Sequence, residues 1–282
     1  MGVLYIVATP IGNMGDISPR ALDVLGQVSL IAAEDTRVTG MMLSRFNVHK
    51  PMISYHKFSE KDKSEQIVQK LKEDGYDVAV VTDAGTPCIS DPGSVLVDLA
   101  YQNGITVVGI PGASAVTLAL SVSGFDTTTF SFYGFFPRQK GEQEEFLAKI
   151  KSDSVRCAVF YESPKRILKT LKAVSETLSG RICVCNDLTK KFERIYRGTV
   201  EEVIEEITQN DKSELGEYAI VFEKSDIKTE EKQETYAVSV EARIFDYVLK
   251  GMSVKEAVSK VSDEGVPRNE AYTAGLNVKK YL

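Results

Sequence analysis

Two short apolar runs that break into loops rich in glycine and proline constrain this chain most. Asp77 to Thr82 leads into Asp83-Ala84-Gly85-Thr86-Pro87-Cys88-Ile89-Ser90-Asp91-Pro92-Gly93, and Ile105 to Ile110 leads into Pro111-Gly112-Ala113-Ser114-Ala115. Each run reads as a buried strand, and each loop is followed by helical spacing. The same alternation starts at the N-terminus. Val3 to Ala8 reads as a strand and Thr9-Pro10-Ile11-Gly12-Asn13 as its loop, and Ser18-Pro19 opens a helix with Pro at the first position. Val28 to Ala33 is the next strand, ending in Glu34-Asp35-Thr36-Arg37, and Ser59 to Lys72 reads as an amphipathic helix stopped by Gly75. Such βα alternation predicts a largely parallel sheet. Loops at the carboxyl ends of parallel strands are where open sheets bind ligands, and small residues there let a ligand approach the backbone. A shaped small-molecule site is expected.

A second alternation follows Gly124-Phe125-Asp126. Phe130 to Phe135, Arg156 to Tyr161, Arg181 to Asn186, Phe192 to Tyr196 and Glu217 to Phe222 read as strands. Gln143 to Ile150, Pro164 to Leu178 and a Glu-rich stretch capped by Thr199 read as helices between them. Lys224 to Thr235 is charged and poor in apolar residues, which suggests a linker. Three short helices are expected after it, one with a capping box at Ser253-Val254-Lys255-Glu256. The 282 residues thus divide into two α/β domains, 1–123 and 124–223, a linker over 224–235 and a helical segment over 236–282.

No apolar run approaches the roughly 18 residues that a membrane helix needs. Met1-Gly2-Val3-Leu4-Tyr5 has no basic stretch before its apolar run, so it reads as a strand rather than a signal peptide, and a cytoplasmic protein is expected. Cys88, Cys157, Cys183 and Cys185 form no CxxC pair, and only His49 and His56 could assist them. Reduced buried thiols are expected, and no metal site. The net charge of −6 is unevenly spread: residues 126–200 carry 14 Lys+Arg against 9 Asp+Glu, whereas residues 201–235 carry 4 against 12. A basic middle in an acidic chain is compatible with a selective polyanion site, and equally with ordinary surface variation.

The loops resemble those of the tetrapyrrole-methylase family of S-adenosylmethionine-dependent enzymes. Seven segments in order, Leu4 to Asn13, Ala33 to Arg37, Asp83 to Pro87, Pro111 to Ala115, Phe135 to Arg138, Phe160 to Pro164 and Leu188 to Glu193, resemble one branch of it, the ribosomal RNA small subunit methyltransferase I family. The resemblance covers essentially the whole chain. It implies two α/β domains of tetrapyrrole-methylase type with the cofactor between them, and a homodimer. It also implies methylation of the ribose 2′-oxygen of a cytidine in small-subunit ribosomal RNA, within the 30S particle. In agreement, no G-x-G-x-x-G follows the first strand. A tetrapyrrole methyltransferase, or a non-catalytic ribosome-assembly factor that keeps the fold, stands as the alternative.

By the same resemblance, Asp83, Ala84, Gly85, Thr86, Ile89, Ser114 and Ala115 would contact S-adenosylmethionine. Pro10 and Ile11 would border the cleft, and Tyr161 and Asn186 would close it from the second domain. Turn formation alone is the simpler role for the glycines and prolines. Methyl transfer is an in-line displacement that needs alignment and a way to remove the hydroxyl proton. Glu34, Asp35 and Arg37 are candidates for that chemistry, with Arg37 on a phosphate, or else an ion pair that orients a loop. Lys190 could lower the hydroxyl pKa. Lys190, Phe192, Arg194 and Tyr196 would share one strand face, an aromatic-basic mix suited to single-stranded RNA, with Lys191 and Arg197 opposite; a solvated edge strand is the alternative. Arg138 and Lys140 could reach phosphate or lie in a solvated loop. Lys165, Arg166, Lys169 and Lys172 read as an exposed stripe.

Overall fold

The computed structural model describes residues 1–57, 60–225 and 239–282. The chain divides into two compact units, Met1–Ile227 and Lys228–Leu282. In the first unit, β1 (Val3–Val7), β2 (Leu30–Ala33), β3 (Met52–Ser54), β4 (Val78–Val81) and β5 (Thr106–Ile110) pair in parallel in the order β3-β2-β4-β1-β5. Every residue of β2 and β4 is buried, as expected of central strands covered on both faces. The covering helices are α1 (Pro19–Gln27), α2 (Thr36–Ser44), α3 (Glu60–Lys72) and α4 (Ser94–Gln102). Leu25 and Leu43 pack with Ile31 on one face, and Ile67, Leu71 and Leu96 with Leu4 and Val80 on the other. Ser18 caps α1 by accepting the N–H of Ala21 at 3.1 Å, with Pro19 at the first position.

The second sheet contains β6 (Phe130–Phe135), β7 (Cys157–Glu162), β8 (Gly180–Asn186), β9 (Arg194–Thr199) and β10 (Tyr218–Lys224), ordered β6-β7-β10-β8-β9. Only β6 and β7 run parallel; the remaining pairs are antiparallel. Helices α6 (Lys140–Ser152), α7 (Ile167–Thr177) and α8 (Val200–Thr208) cover one face through Ile150, Leu171 and Val203. Helix α5 (Ala115–Ser123), which leaves the first sheet after β5, covers the other with Val116, Ala119 and Leu120 against Val159, Cys183 and Val221. The glycine-bearing loop after β5 therefore delivers the chain directly onto the second sheet. Cys183 and Cys185 sit on that buried face as free thiols, sulfurs 3.9 Å apart.

Several elements depart from the sequence expectation. The strand placed at Phe192 to Tyr196 begins only at Arg194 and runs to Thr199. Asp187 (φ 53°) and Thr189 (φ 67°) take left-handed conformations, and Lys190 to Phe192 lie in the turn they create. Lys190 and Phe192 consequently do not share a strand face with Arg194, and Tyr196 is buried in the core beneath α8. Helix α6 is longer than Gln143 to Ile150, so Lys140 is its first residue rather than part of a loop after Pro137. Lys224, expected to open the linker, ends β10; it is 6% exposed and its ammonium donates to the carbonyls of Ile150 and Asp153. Residues 226–235 of that linker lie outside the described residues.

The second unit contains α9 (Val240–Leu249), α10 (Val254–Asp263) and α11 (Arg268–Val278) around Ile244, Ala257, Val261 and Val278. Ser253 and Glu256 form the expected reciprocal cap. Among the described residues no helix is long and apolar enough to cross a membrane.

Candidate active site

The carboxyl ends of β1, β4 and β5 are tied together by hydrogen bonds between their loops. Thr9 and Gly85 exchange backbone hydrogen bonds of 2.8 and 3.2 Å. The Thr9 hydroxyl donates to the Thr82 carbonyl at 3.0 Å, and the Thr86 hydroxyl donates to the Ala113 carbonyl at 3.2 Å. Two glycines permit this closeness. Gly85 has φ +90°, and a Cβ there would lie 3.3 Å from the Ile11 side chain. A Cβ on Gly112 would come within 2.9 Å of the Ala8 Cβ. The loops are therefore held as one surface, opposite the ends of β6, β7 and β8.

Between these walls lies a cavity of about 390 Å³. The first-sheet wall presents Ile11, Glu34, Asp83 to Thr86, Ile89 and Asp91, together with Ser114 and Ala115 from the β5 loop. Of the residues expected to meet a cofactor there, Pro10 and Asn186 do not line the cavity. The Asn186 amide instead donates to the carbonyls of Leu215 and Glu217, at 3.3 and 3.4 Å. Tyr161 closes the far side, edge-on to Phe132 and Phe135 with ring centres 5.1 and 5.3 Å away. Burial holds its phenol neutral, with a pKa pushed up to about 12.

Every charged residue among the described lining residues is acidic, including Glu162 and Glu217 on the mixed-sheet wall. No Lys, Arg or His is found among its described lining residues, whereas Glu34, Asp83 and Asp91 crowd the first-sheet wall. Burial raises both aspartates, Asp91 to about 6, and the neighbouring Glu34 charge adds to each shift. Glu34 accepts from the Thr82 hydroxyl at 2.6 Å and from the Asp83 N–H at 3.3 Å.

Asp35 and Arg37 behave differently from Glu34. Asp35 is the N-cap of α2 and grips Arg37 through its backbone N–H, Nε and Nη2. These contacts, the guanidinium bond first, hold the Asp35 carboxyl down at about 2. Neither side chain lines the cavity, and the Arg37 side chain is 86% exposed. Lys190 stands beside the cavity, donating to Asp187 at 2.8 Å and to the cavity residue Glu217 at 2.9 Å; the Asp187 carboxylate packs so close to Gly216 that a Cβ there would collide with it.

The basic residues expected to meet RNA separate into two groups. Arg138, Lys140, Lys191 and Arg194 are exposed. Arg197 is engaged: its Nε donates to the Ser123 carbonyl at 2.6 Å, and its guanidinium stacks 4.9 Å over Phe125. It therefore clamps the end of α5 to β9. Arg166, expected in an exposed stripe, pairs with the fully buried Glu162 carboxylate and donates to the carbonyls of Phe136 and Pro137 at 2.6 and 3.0 Å. That pairing fixes the turn carrying Phe135. Lys212 was not singled out in the sequence, yet it lies 5.0 Å over the exposed Phe192 ring, with Lys191 at 5.6 Å. Asp91 was also missed as a site residue, although its place six residues after Gly85 in the same loop was a usable signal.

Comparison with known proteins agrees with this geometry. The family model described as tetrapyrrole (corrin/porphyrin) methylases matches residues 3–204. The chain is 40% identical over 278 residues to ribosomal RNA small subunit methyltransferase I of Bacillus subtilis (strain 168), covering 97% of this chain and 94% of that protein. It is 43% identical over 223 residues to the protein of the same name from Thermotoga maritima, covering 79% of this chain and 98% of that one. Among solved structures, uroporphyrin-III-C-methyltransferase from Thermus thermophilus shares the fold, with a TM-score of 0.55 at 16% identity over 79% of this chain and 94% of that one. The chain belongs to the tetrapyrrole methylases and, with its full-length relatives, to the ribosomal RNA small subunit methyltransferase I family.

Proposed function

We propose that this chain transfers the methyl group of S-adenosylmethionine to the ribose 2′-hydroxyl of a cytidine in small-subunit ribosomal RNA. The observation that carries the reading is the cavity between the two sheets, with its backbone-lined loops and its complete lack of basic side chains among the described lining residues. The volume lies in the range of small-molecule sites. Carboxylates in a mostly apolar pocket favour a sulfonium cation over a neutral thioether, so the residues present fit the donor before transfer better than its product. When bound, the donor supplies the electrophilic methyl carbon. The chain supplies alignment, through the tied loops on one side and Tyr161 on the other, and a dry wall that keeps water from the reacting centre.

The same charge pattern argues that RNA backbone stays outside the cavity and only the reacting ribose enters. Exposed Arg138, Lys140, Lys191 and Arg194, with Phe192, offer the cationic and stacking surface that a single strand needs. Full-length similarity to proteins named for small-subunit ribosomal RNA favours this substrate over a tetrapyrrole. The assembled 30S particle as substrate, a homodimer as the working form and a cytoplasmic location belong to this reading. Radiolabelled methyl transfer tests it: purified chain should label small subunits from a strain that lacks the modification, with the label mapping to one cytidine ribose. Absence of label, or label on a base, would reject it.

A further inference from the structure

The second unit carries a helix face that its own core does not use. In α11, Ala271, Ala274, Gly275 and Val278 are buried, and a Cβ on Gly275 would collide with the Val258 side chain of α10. On the outer side, Tyr272 is 63% exposed and Leu276 is 47% exposed. Four positions apart, they stand one above the other. Arg268 lies one turn before Tyr272, and Lys279 and Lys280 follow within a turn of Leu276; all three are exposed. Helical spacing thus gathers three cations along the stripe that holds an aromatic ring and an aliphatic side chain. The one acidic residue of α11, Glu270, is two positions from Tyr272 and so lies on the far side of the helix.

Nothing within the unit accounts for these cations. Arg243 pairs with Glu264 and Lys250 with Asp246, whereas Arg268, Lys279 and Lys280 make no ion pair among the described residues. Helix stability explains only two of them. Lys279 and Lys280 suit the negative end of the helix dipole, but Arg268 stands at the positive end, where a cation is disfavoured. The match to the methylase family, residues 3–204, lies wholly in the first unit. The Thermotoga maritima relative uses 98% of its length on 223 residues of this chain, about the length of Met1–Ile227, and so is too short for both units. The three helices are therefore an addition to the part of the chain that holds the cavity.

We infer that the outer face of α11 is a second RNA contact, in which Arg268, Lys279 and Lys280 hold phosphates of small-subunit ribosomal RNA and Tyr272 packs against a base or sugar. The inference rests on the ribosomal-RNA reading above and adds to it a contact outside the first unit. Unpaired cations with no carboxylate on their stripe complement a polyanion. An apolar protein partner would instead leave three charges desolvated and unpaired. Three phosphate contacts form a weak site alone. Carried on the chain that already binds RNA through its first unit, they make the second binding event intramolecular and so raise affinity for the whole substrate.

The test uses the full chain, small subunits lacking the methyl group and, separately, naked small-subunit ribosomal RNA. The triple variant Arg268→Ala/Lys279→Ala/Lys280→Ala should bind both about ten- to hundredfold more weakly. Its slope of log affinity against log salt should flatten by about 2 to 3, at roughly 0.7 to 0.9 per lost phosphate contact. Donor affinity by calorimetry, melting temperature and single-turnover rate at saturating subunits should match wild type, because the face touches neither the cavity nor a core. Tyr272→Ala should weaken binding about fivefold or more with the salt slope unchanged, and Arg268→Lys/Lys279→Arg/Lys280→Arg should bind as wild type does. Should the triple variant melt early, Lys280→Ala carries the test through a slope change of about 0.7 to 0.9. Unchanged affinity and slope would overturn the inference. So would a loss on subunits with none on naked RNA, which would assign the face to a ribosomal protein, or a change of oligomeric state in the triple variant, which would assign it to a second copy of this chain. Failure of the wild type to methylate subunits would overturn the underlying reading and this inference together; an active wild type with a triple variant that binds equally well would overturn the inference alone.

Discussion

The two sheets of the first unit build opposite walls of one cavity from different materials. The parallel sheet contributes loops: backbone atoms, small residues and carboxylates. The mixed sheet contributes the rings of Tyr161 and Phe135, with Glu162 and Glu217 beside them, and, outside the cavity, the cations Arg138, Lys191 and Arg194. Topology explains the division. All five strands of the parallel sheet point the same way, so their carboxyl-end loops gather at one edge. In the mixed sheet β10 opposes β7 and β8, so fewer loops converge at that edge and longer side chains fill the space. Close backbone approach to a ligand is available on one wall only, and reach toward a large polyanion on the other. Substitutions on the first wall should therefore disturb donor binding and chemistry, and those on the second should disturb RNA binding.

The largest expected effect breaks the second wall itself. Arg166 neutralises a Glu162 carboxylate with no exposed side-chain surface, and holds the Phe136 and Pro137 carbonyls. Arg166→Ala leaves the buried charge without its cation, which costs about 3 kcal/mol, the low end of the range because Ser163 and Thr170 still donate to it. The melting temperature should fall by roughly 6–12 °C by scanning calorimetry. An unchanged melting temperature would show that the turn carrying Phe135 does not depend on this pair.

A smaller change isolates the first wall. Gly85→Val places a β-branched residue at φ +90° and sets its Cβ against Ile11. Strain of this kind costs about 1–3 kcal/mol, and the loop relieves it by leaving the geometry a ligand requires. Calorimetry should show donor affinity reduced roughly ten- to hundredfold, with small-subunit binding unaffected. Equal loss of both affinities would erase the distinction between the walls.

Much of this architecture could be read from local pattern. Val78 to Val81 is apolar throughout because both faces of β4 are covered, and the caps at Ser18, Thr199 and Ser253 depend on residues three positions away. What escaped depends on distant partners. Strand β3 has three residues and owes its existence to pairing with β2. Arg166 looks like one more cation in a basic helix until carbonyls some 30 positions earlier in the chain come within reach. Arg197, though exposed, is held by the Ser123 carbonyl and the Phe125 ring, more than 70 positions earlier in the chain. Phe192 kept its exposure but lost its strand, because two left-handed residues turn the chain just before it. In the cavity, the glycine loops announced themselves by composition; the bond from the Thr82 hydroxyl to Glu34 joins residues 48 positions apart, which no spacing encodes.

On the second wall, Phe192→Ala should weaken binding of single-stranded RNA by about 1–3 kcal/mol if a base stacks on the ring that Lys191 and Lys212 flank. Donor affinity should not change. Fluorescence anisotropy with an RNA fragment, set beside donor calorimetry, reads both, and a donor effect without an RNA effect would reverse the assignment of the walls.

The smallest effect comes from Arg37, which belongs to the first sheet in sequence but lies outside the cavity. Its guanidinium is bound to Asp35 by Nε at 3.0 Å and Nη2 at 2.6 Å, within one helical turn and in solvent. An exposed pair of this kind contributes little to stability, so Arg37→Ala should leave the melting temperature and donor affinity where they are. The Asp35 carboxyl, held low first by this side chain, should move back toward the ordinary carboxylate range. If Arg37 also meets a phosphate, small-subunit affinity should fall a few-fold, and the slope of log affinity against log salt should flatten by about 0.7, the value for one contact to a single strand. A loss with that salt signature would place one cationic RNA contact on the first wall's outer edge and confine the division of labour to the cavity. Unchanged affinity and slope would leave Arg37 as the partner that orients Asp35 at the start of α2, and the division would extend to the whole face.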